Sequence, residues 1–356
     1  SYGGHKGENM LLVTALIASL AASAAPETPA AGKGAANSFA RTADEREGAL
    51  DSFTNTGTDD PAALLKHLQQ EIYVNQQLAI LTQFRFDYSD RIRLSTEYVN
   101  SDGELIPTHV FTPVKASNAR RPAVVMVHGG FHERLEPSWF PLIEAVVEAG
   151  YVVLFPEYRG SRGYGDAIYQ NDYGNTDVAD VLAAARYAAT RPDIDGGRIG
   201  ILGQSRGGMV TLLAIERSPK QFKAAVDIVG LTDFVAYMSY KPDYRRKEIA
   251  ETNPGFKGKL PHENLPAYIN VSPINFVDRI EAPVLVLATS GDKIVPHTIH
   301  TGRLIDALKA HGKTYEAKIY DEAPGGHVFM KGATPERDDA LKRIVAWFNR
   351  WMGPAR

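Results

Sequence analysis

The run with the sharpest chemical content is Gly203-Gln204-Ser205-Arg206-Gly207-Gly208. It follows the apolar run Ile199-Gly200-Ile201-Leu202 and precedes Met209, Leu212, Leu213 and Ile215 at helical spacing. The order is therefore strand, Gly-x-Ser-x-Gly, helix, which is the setting a nucleophile elbow requires. A strand that reverses sharply into a helix strains the residue at the bend, and side chains two places to either side would collide. Gly203 and Gly207 remove those side chains. The bend leaves the Ser205 hydroxyl exposed above the sheet, with the Arg206 N–H at the helix start available to an oxyanion. The chemistry this suits is attack of a serine on a carbonyl carbon.

A serine hydroxyl is almost fully protonated at neutral pH, so it needs a base, and the base needs an orienting group. After the apolar run at residues 284 to 287 comes Thr289-Ser290-Gly291-Asp292-Lys293, and after the alternating segment at residues 315 to 320 comes Ala323-Pro324-Gly325-Gly326-His327. Asp292 and His327 thus fall in loops after strands, in the order serine, acid, histidine along the chain. Asp321 is the rival acid and reads as a surface group. Of the ten histidines, His5 precedes an apolar run near the N-terminus, His67 and His311 lie in helical patterns, His109 in a hairpin and His262 in an insertion. His297 and His300 read as a pair at a helix start. Their spacing resembles that of metal ligands, but no third ligand accompanies them, so no metal site is expected. The fourth piece is Val127-His128-Gly129-Gly130-Phe131. Its glycines let backbone approach a substrate carbonyl, so an N–H at Gly130 or Phe131 can join that of Arg206 in an oxyanion hole. His128 reads as holding that loop rather than as a base.

The elements that would carry these loops are short apolar runs alternating with helical patterns. The runs lie at residues 123 to 127, 151 to 155, 199 to 202, 224 to 226 and 284 to 287. Strands apolar on both faces belong in a parallel sheet covered by helices on each side, so the class is α/β. Ahead of them, residues 91 to 98 and 108 to 114 alternate around Asn100-Ser101-Asp102-Gly103 and predict an antiparallel hairpin. Between residues 61 and 84, Leu64, Leu65, Leu68, Ile72, Leu78 and Leu81 predict helix and read as packing residues. A helix from Asp177 to Tyr187 buries Val178, Val181, Leu182 and Ala185, with Asp177 and Asp180 expected as capping and surface charges. The last helix starts at Thr334-Pro335-Glu336 and carries Leu341, Ile344, Val345 and Phe348 as its buried stripe.

Composition limits the alternatives. The chain has 356 residues, 44% apolar and 23% charged, enough for one large domain with a sizeable core. Lysine and arginine number 39 against 42 acidic residues, a net charge of −3 that gives no reason to expect a nucleic acid partner. Cysteine is absent, which removes disulfides, thiolate metal sites and a cysteine nucleophile together. The apolar run at residues 11 to 21, followed by Ala22-Ser23-Ala24-Ala25, predicts an export signal over residues 1–25 and a periplasmic or secreted location. It falls short of the roughly 20 apolar residues of a membrane span. Residues 26–60 read as a flexible leader, and residues 61–356 as the folded domain.

Four blocks resemble the catalytic domain of the prolyl oligopeptidase family of serine peptidases, within the α/β-hydrolase superfamily. They are His128-Gly129-Gly130, then Glu157-Tyr158-Arg159-Gly160-Ser161-Arg162-Gly163-Tyr164-Gly165, then residues 195 to 208, and Ser272-Pro273-Ile274 through Asp292 to His327. The resemblance spans roughly residues 90 to 352 and implies an α/β-hydrolase fold with Ser205, Asp292 and His327 as a triad acting through an acyl-enzyme. It implies no cofactor. A dinucleotide reading of Gly160, Gly163 and Gly165 finds no βαβ unit with an acidic ribose partner. Family peptidases usually carry a β-propeller ahead of this domain, and the segment here is too short for one. Arg206 stands where an aromatic or small residue is more usual.

The expected substrate is a small peptide or an ester. A carboxylesterase with little peptidase activity is the alternative, and a non-catalytic binding protein of the same fold is the alternative of another class. Residues 231–280, rich in Tyr, Lys, Arg and Pro, interrupt the sheet pattern and are expected to cap the site. Oligomeric state stays open.

Overall fold

Asp102 and Gly103 take φ angles of 53° and 92°, the left-handed pair that a tight hairpin needs and that Asp-Gly supplies at little strain. The strand β1 (Ile92–Ser101) therefore returns directly as β2 (Glu104–Pro113), with Ser101 opposite Glu104. Both strands run closer to the turn than the alternation suggests, because ladder pairing continues to the last residue before it. The computed structural model describes residues 61–353 apart from 116 and 118. The export segment and the leader lie outside the described residues. A compact unit spans Leu65–Arg356, while of the unit Ser1–Leu64 only the start of the first helix is described.

That helix, α1 (Pro61–Tyr88), precedes the hairpin. The chain then builds β3 (Arg121–Val127), α2 (Phe140–Glu148), β4 (Val152–Pro156), the short α3 (Asp166–Tyr169), α4 (Thr176–Thr190), β5 (Ile194–Gln204), α5 (Arg206–Arg217) and β6 (Ala224–Ile228). Three short helices follow, α6 (Phe234–Ser239), α7 (Asp243–Thr252) and α8 (Leu265–Asn270), before β7 (Val284–Thr289), α9 (Thr301–Ala310), β8 (Tyr315–Tyr320) and α10 (Pro335–Met352). The eight strands lie in the order β1-β2-β4-β3-β5-β6-β7-β8. The β1/β2 and β2/β4 pairs are antiparallel and the rest parallel. No helix among the described residues is long and apolar enough to cross a membrane.

The wholly apolar strands have a direct cause. On β3, Ala123, Val125 and Val127 enter one core with α4 and α5, while Val124 and Met126 enter a second core with α2 and α10. With helices on both faces, alternate residues find a core whichever way they point. The parallel crossovers carry the carboxyl ends of β3, β5, β7 and β8 to one edge, where open α/β sheets hold their sites.

Two expectations need correction. Leu65, Leu68, Ile72 and Leu78 of α1 are exposed rather than packed, between 47% and 59%. The helix turns Gln77 and Phe84 inward, with Ile80 and Leu81 packed beside them, and Phe84 meets Phe111 and Phe140 edge-on. Helical spacing identified the element but not its inner side, because apolar and polar residues are both spread around α1 and no single apolar face stands out. Asp177 and Asp180 are fully buried rather than at the surface.

Strand β6 brings one carboxylate into the core. Asp227 is fully buried, wedged so tightly that a Cβ on Gly208 or Gly230 would meet its Oδ1 at 2.2 or 1.9 Å. Its oxygens make no hydrogen bond of normal geometry, and burial pushes the carboxyl up to about 7, with only the Gly230 amide opposing the shift. The folded state holds this proton to about pH 7, while the unfolded chain releases it near 3.8. Stability from this group is complete below pH 4 and is lost as pH climbs toward and through 7, on the order of 4 kcal/mol by pH 8. Asp227→Asn should raise the melting temperature at pH 8 far more than at pH 5. Scanning calorimetry at the two pH values checks this, and an equal effect at both would contradict it.

Candidate active site

Ser205 occupies the bend between β5 and α5 at φ 60° and ψ −120°, a strained conformation for a residue with a side chain. Its N–H donates to the Ile228 carbonyl at 2.8 Å, and its own carbonyl accepts from Leu231 at 3.2 Å. The flanking glycines have no substitute. A Cβ at 203 would lie 2.1 Å from the Gly207 carbonyl oxygen, and one at 207 would lie 2.2 Å from that of Val127.

The structure brings three of the expected side chains together. The Ser205 Oγ lies 2.7 Å from His327 Nε2, and His327 Nδ1 lies 2.7 Å from Asp292 Oδ2. A carboxylate beside Nδ1 requires the proton there, which leaves Nε2 to accept from the serine hydroxyl. Asp292 is held in turn: its Oδ1 accepts from the N–H groups of Ile294 and Val295, both at 2.8 Å. Thr289 Oγ1 accepts from Ala323 N–H at 2.9 Å and so ties the acid loop to the histidine loop. Asp292 and His327 are 5% and 8% exposed, which keeps solvent from competing for these bonds. Asp321 is exposed and bonded to Ser290, away from the histidine.

The glycine loop after β3 packs beneath the serine. A Cβ on Gly129 would come 3.2 Å from that of Ser205. Gly130 and Phe131 line the cavity with Ser205, and the Phe131 N–H has no acceptor among the described residues. Arg206 opens α5, so its N–H has no intrahelical acceptor. His128 holds the loop as expected. Its ring is buried, stacked on Tyr158 at 4.2 Å and bonded through Nε2 to Ser161 Oγ at 2.8 Å, and burial pushes its basicity down. Tyr158 donates to the His128 carbonyl at 2.7 Å.

Sequence reasoning missed the partners of the buried acids. Asp177 pairs with Arg206, and Asp180 pairs with Arg159 at 2.6 Å. It also passed over His132, which lines the cavity, donates from Nδ1 to the Gly160 carbonyl at 2.8 Å and stacks on Tyr169 at 3.9 Å. An Asp-x-x-Asp step on a mainly apolar helix was the one available signal. The His300 ring is buried between Thr232 and Tyr240. No cluster able to hold a metal occurs among the described residues.

The cavity over Ser205 has a volume of about 440 Å³. Phe131, Trp139, Leu231, Tyr237 and Val295 give it apolar walls, and Glu133, Arg245 and Lys331 bring charge to it. Leu231, Tyr237 and Arg245 come from residues 231–280, whose helices stand between β6 and β7. A second cavity of about 370 Å³ shares Phe131, His132 and Arg245 with the first and adds Tyr169 and Tyr173.

Strand order, the position of the elbow and the succession of serine, aspartate and histidine along the chain are those of an α/β-hydrolase. Within that class, the sequence profile of the prolyl oligopeptidase family matches residues 138–355, and the chain belongs to this family. An uncharacterized peptidase of Bacillus subtilis is 26% identical over 266 residues, covering 72% of this chain and 38% of its own length. The acylamino-acid-releasing enzyme of Mus musculus is 30% identical over 238 residues, covering 65% of this chain and 32% of its own. A puromycin-hydrolyzing peptidase of Mycobacterium tuberculosis superposes with a TM-score of 0.64 at 27% identity, covering 74% of this chain and 40% of that structure. The chain spans roughly a third to two fifths of the length of these relatives.

Gly203→Ala should cost about 3 kcal/mol of unfolding free energy, because backbone rather than a flexible side chain occupies the Cβ position. Urea denaturation checks this, and a loss well under about 1 kcal/mol would mean that the elbow relaxes freely.

Proposed function

We propose that the chain is a serine hydrolase that cleaves small peptides, acyl amides or esters through an acyl-enzyme on Ser205. The observation that carries the reading is the unbroken hydrogen-bond relay from Ser205 Oγ through His327 to Asp292, at 2.7 Å in each step. As Oγ attacks the carbonyl carbon, its proton passes to Nε2, and Asp292 stabilises the imidazolium that forms. The carbonyl oxygen becomes an oxyanion facing the N–H groups of Arg206 and Phe131. Nε2 then returns the proton to the departing amine or alcohol, and water repeats the sequence to release the acid. Relatives named for releasing acylamino acids and for hydrolysing puromycin support an acylated or amide-linked small substrate.

Ser205→Ala should lower turnover on the order of 10⁶-fold while leaving the circular dichroism spectrum unchanged. A fluorophosphonate should label the unmodified chain at Ser205, located by peptide mass mapping. Labelling elsewhere, or activity surviving the substitution, would remove the reading. Turnover should also fall on acidification, since a protonated imidazole cannot take the serine proton.

In this reading residues 231–280 act as a cap that helps select the acyl group. Tyr237→Ala should change the ratio of rates on short and bulky p-nitrophenyl esters, and on esters against acylaminoacyl anilides. Identical ratios would exclude that role. The reading also takes the apolar run at residues 11–21 as an export signal, which cell fractionation of the expressed chain tests.

A further inference from the structure

Arg206 lines the cavity and contributes its backbone N–H at the head of α5, while its side chain is buried. The guanidinium is nearly fully buried and pairs through Nη2 with Asp177 Oδ2. Its Nη1 donates to the Gly130 carbonyl at 2.9 Å. Aromatic rings enclose it, with its central carbon 4.7 Å from the Tyr173 centroid and 5.5 Å from those of Phe131 and Tyr158. Asp177 also receives Asn171 Nδ2 at 3.5 Å and the Val178 N–H at 2.8 Å, so the anion is fixed before the arginine meets it. Gly160, at φ 111°, completes the enclosure: a Cβ there would meet Asn171 Nδ2 at 2.9 Å and the Phe131 carbonyl at 3.2 Å.

The Gly130 carbonyl and the Phe131 N–H belong to one planar trans peptide, so they point in opposite directions. Holding the carbonyl on the buried side aims the N–H at the opposite side, where Ser205 and His327 line the cavity. We infer that the Arg206 side chain is a positioning residue for oxyanion stabilisation, orienting the Gly130–Phe131 peptide through a buried fork to Gly130 and Asp177. One residue thereby supplies one oxyanion donor from its backbone and aims the other with its side chain. The inference rests on acyl transfer at Ser205, the proposed function.

Arg206→Lys keeps a cation beside Asp177 but has no fork to reach Gly130 at the same time. With the fold intact by circular dichroism, it should lower kcat/KM on p-nitrophenyl esters, and the rate of fluorophosphonate labelling, by about 100-fold, the effect of one oxyanion donor. Affinity for phenylboronic acid, which becomes a tetrahedral anion on the serine, should fall in parallel. The acid limb of the pH profile should not move, because the His327–Asp292 pair is untouched. The double variant Arg206→Met/Asp177→Leu, which leaves no unpaired buried charge, should show the same loss. Rates within about threefold of the unmodified chain in either folded variant would overturn the inference, as would a displaced acid limb, which would mean a disturbed triad. If the unmodified chain is not labelled at Ser205, the proposed function fails instead.

Discussion

The bend at Ser205 is the constraint on which the rest depends. A serine at positive φ costs on the order of 1–3 kcal/mol unless its surroundings over-determine it. Here they do. Its N–H is committed to β6 and its carbonyl to Leu231, beyond the end of that strand. Strand β5 arrives between β3 and β6 in the middle of the sheet, buried on both faces. Backbone atoms of Gly207 and Val127 close over the glycines on either side. The hydroxyl therefore stands where it does because no other path lets an apolar central strand turn directly into α5.

Around that bend, loops without regular structure are held by buried charges. Asp177 and Asp180 lie three residues apart on α4 and so share a face. One receives Arg206 and the other receives both the side chain and the N–H of Arg159, at 2.6 and 2.8 Å. Glu157, also fully buried, accepts the Leu135 N–H at 2.9 Å, and His109 Nε2 lies 3.4 Å from it. Such pairs add little net stability, because desolvation offsets their attraction, but a half-made pair is strongly disfavoured. They serve geometry: each fixes a loop backbone that has no ladder partner to fix it.

This division explains what the sequence discloses. Ser205, Asp292 and His327 were legible because each follows a strand pattern, apolar before the first two and alternating before His327, and is framed by glycines or turn residues, which are local signals. The parallel sheet was legible for the same reason, its strands being apolar on both faces. Asp177 and Asp180 were not, since acid at the start of a helix is the ordinary pattern of an exposed cap. Their partners, Arg206 and Arg159, stand 29 and 21 residues away, on elements that only the fold brings near. The side of α1 that faces inward was equally hidden: Leu65, Leu68 and Ile72 share a stripe that no described element covers, while Gln77 and Phe84 are buried. Periodicity reports a helix, and burial depends on what lies beside it.

The segment between β6 and β7 is anchored by a neutral histidine at the start of α9. Burial pushes His300 down to about 4, so its ring carries no charge above that pH. Nδ1 accepts from the Thr232 N–H at 3.3 Å, which puts the proton on Nε2, 2.8 Å from the Tyr240 hydroxyl. A charged ring would carry a proton on both nitrogens and turn a donor toward the Thr232 N–H, breaking the anchor one residue after Leu231 of the cavity wall. Asp233 reinforces the tie by capping α6 at Ala236 and pairing with Arg303 on α9 at 2.6 Å. The entry of the helical insertion is thus fastened to α9, and the same segment reaches the acid loop, where the Tyr240 hydroxyl and Lys241 Nζ donate to the Ile294 carbonyl at 3.3 and 3.2 Å.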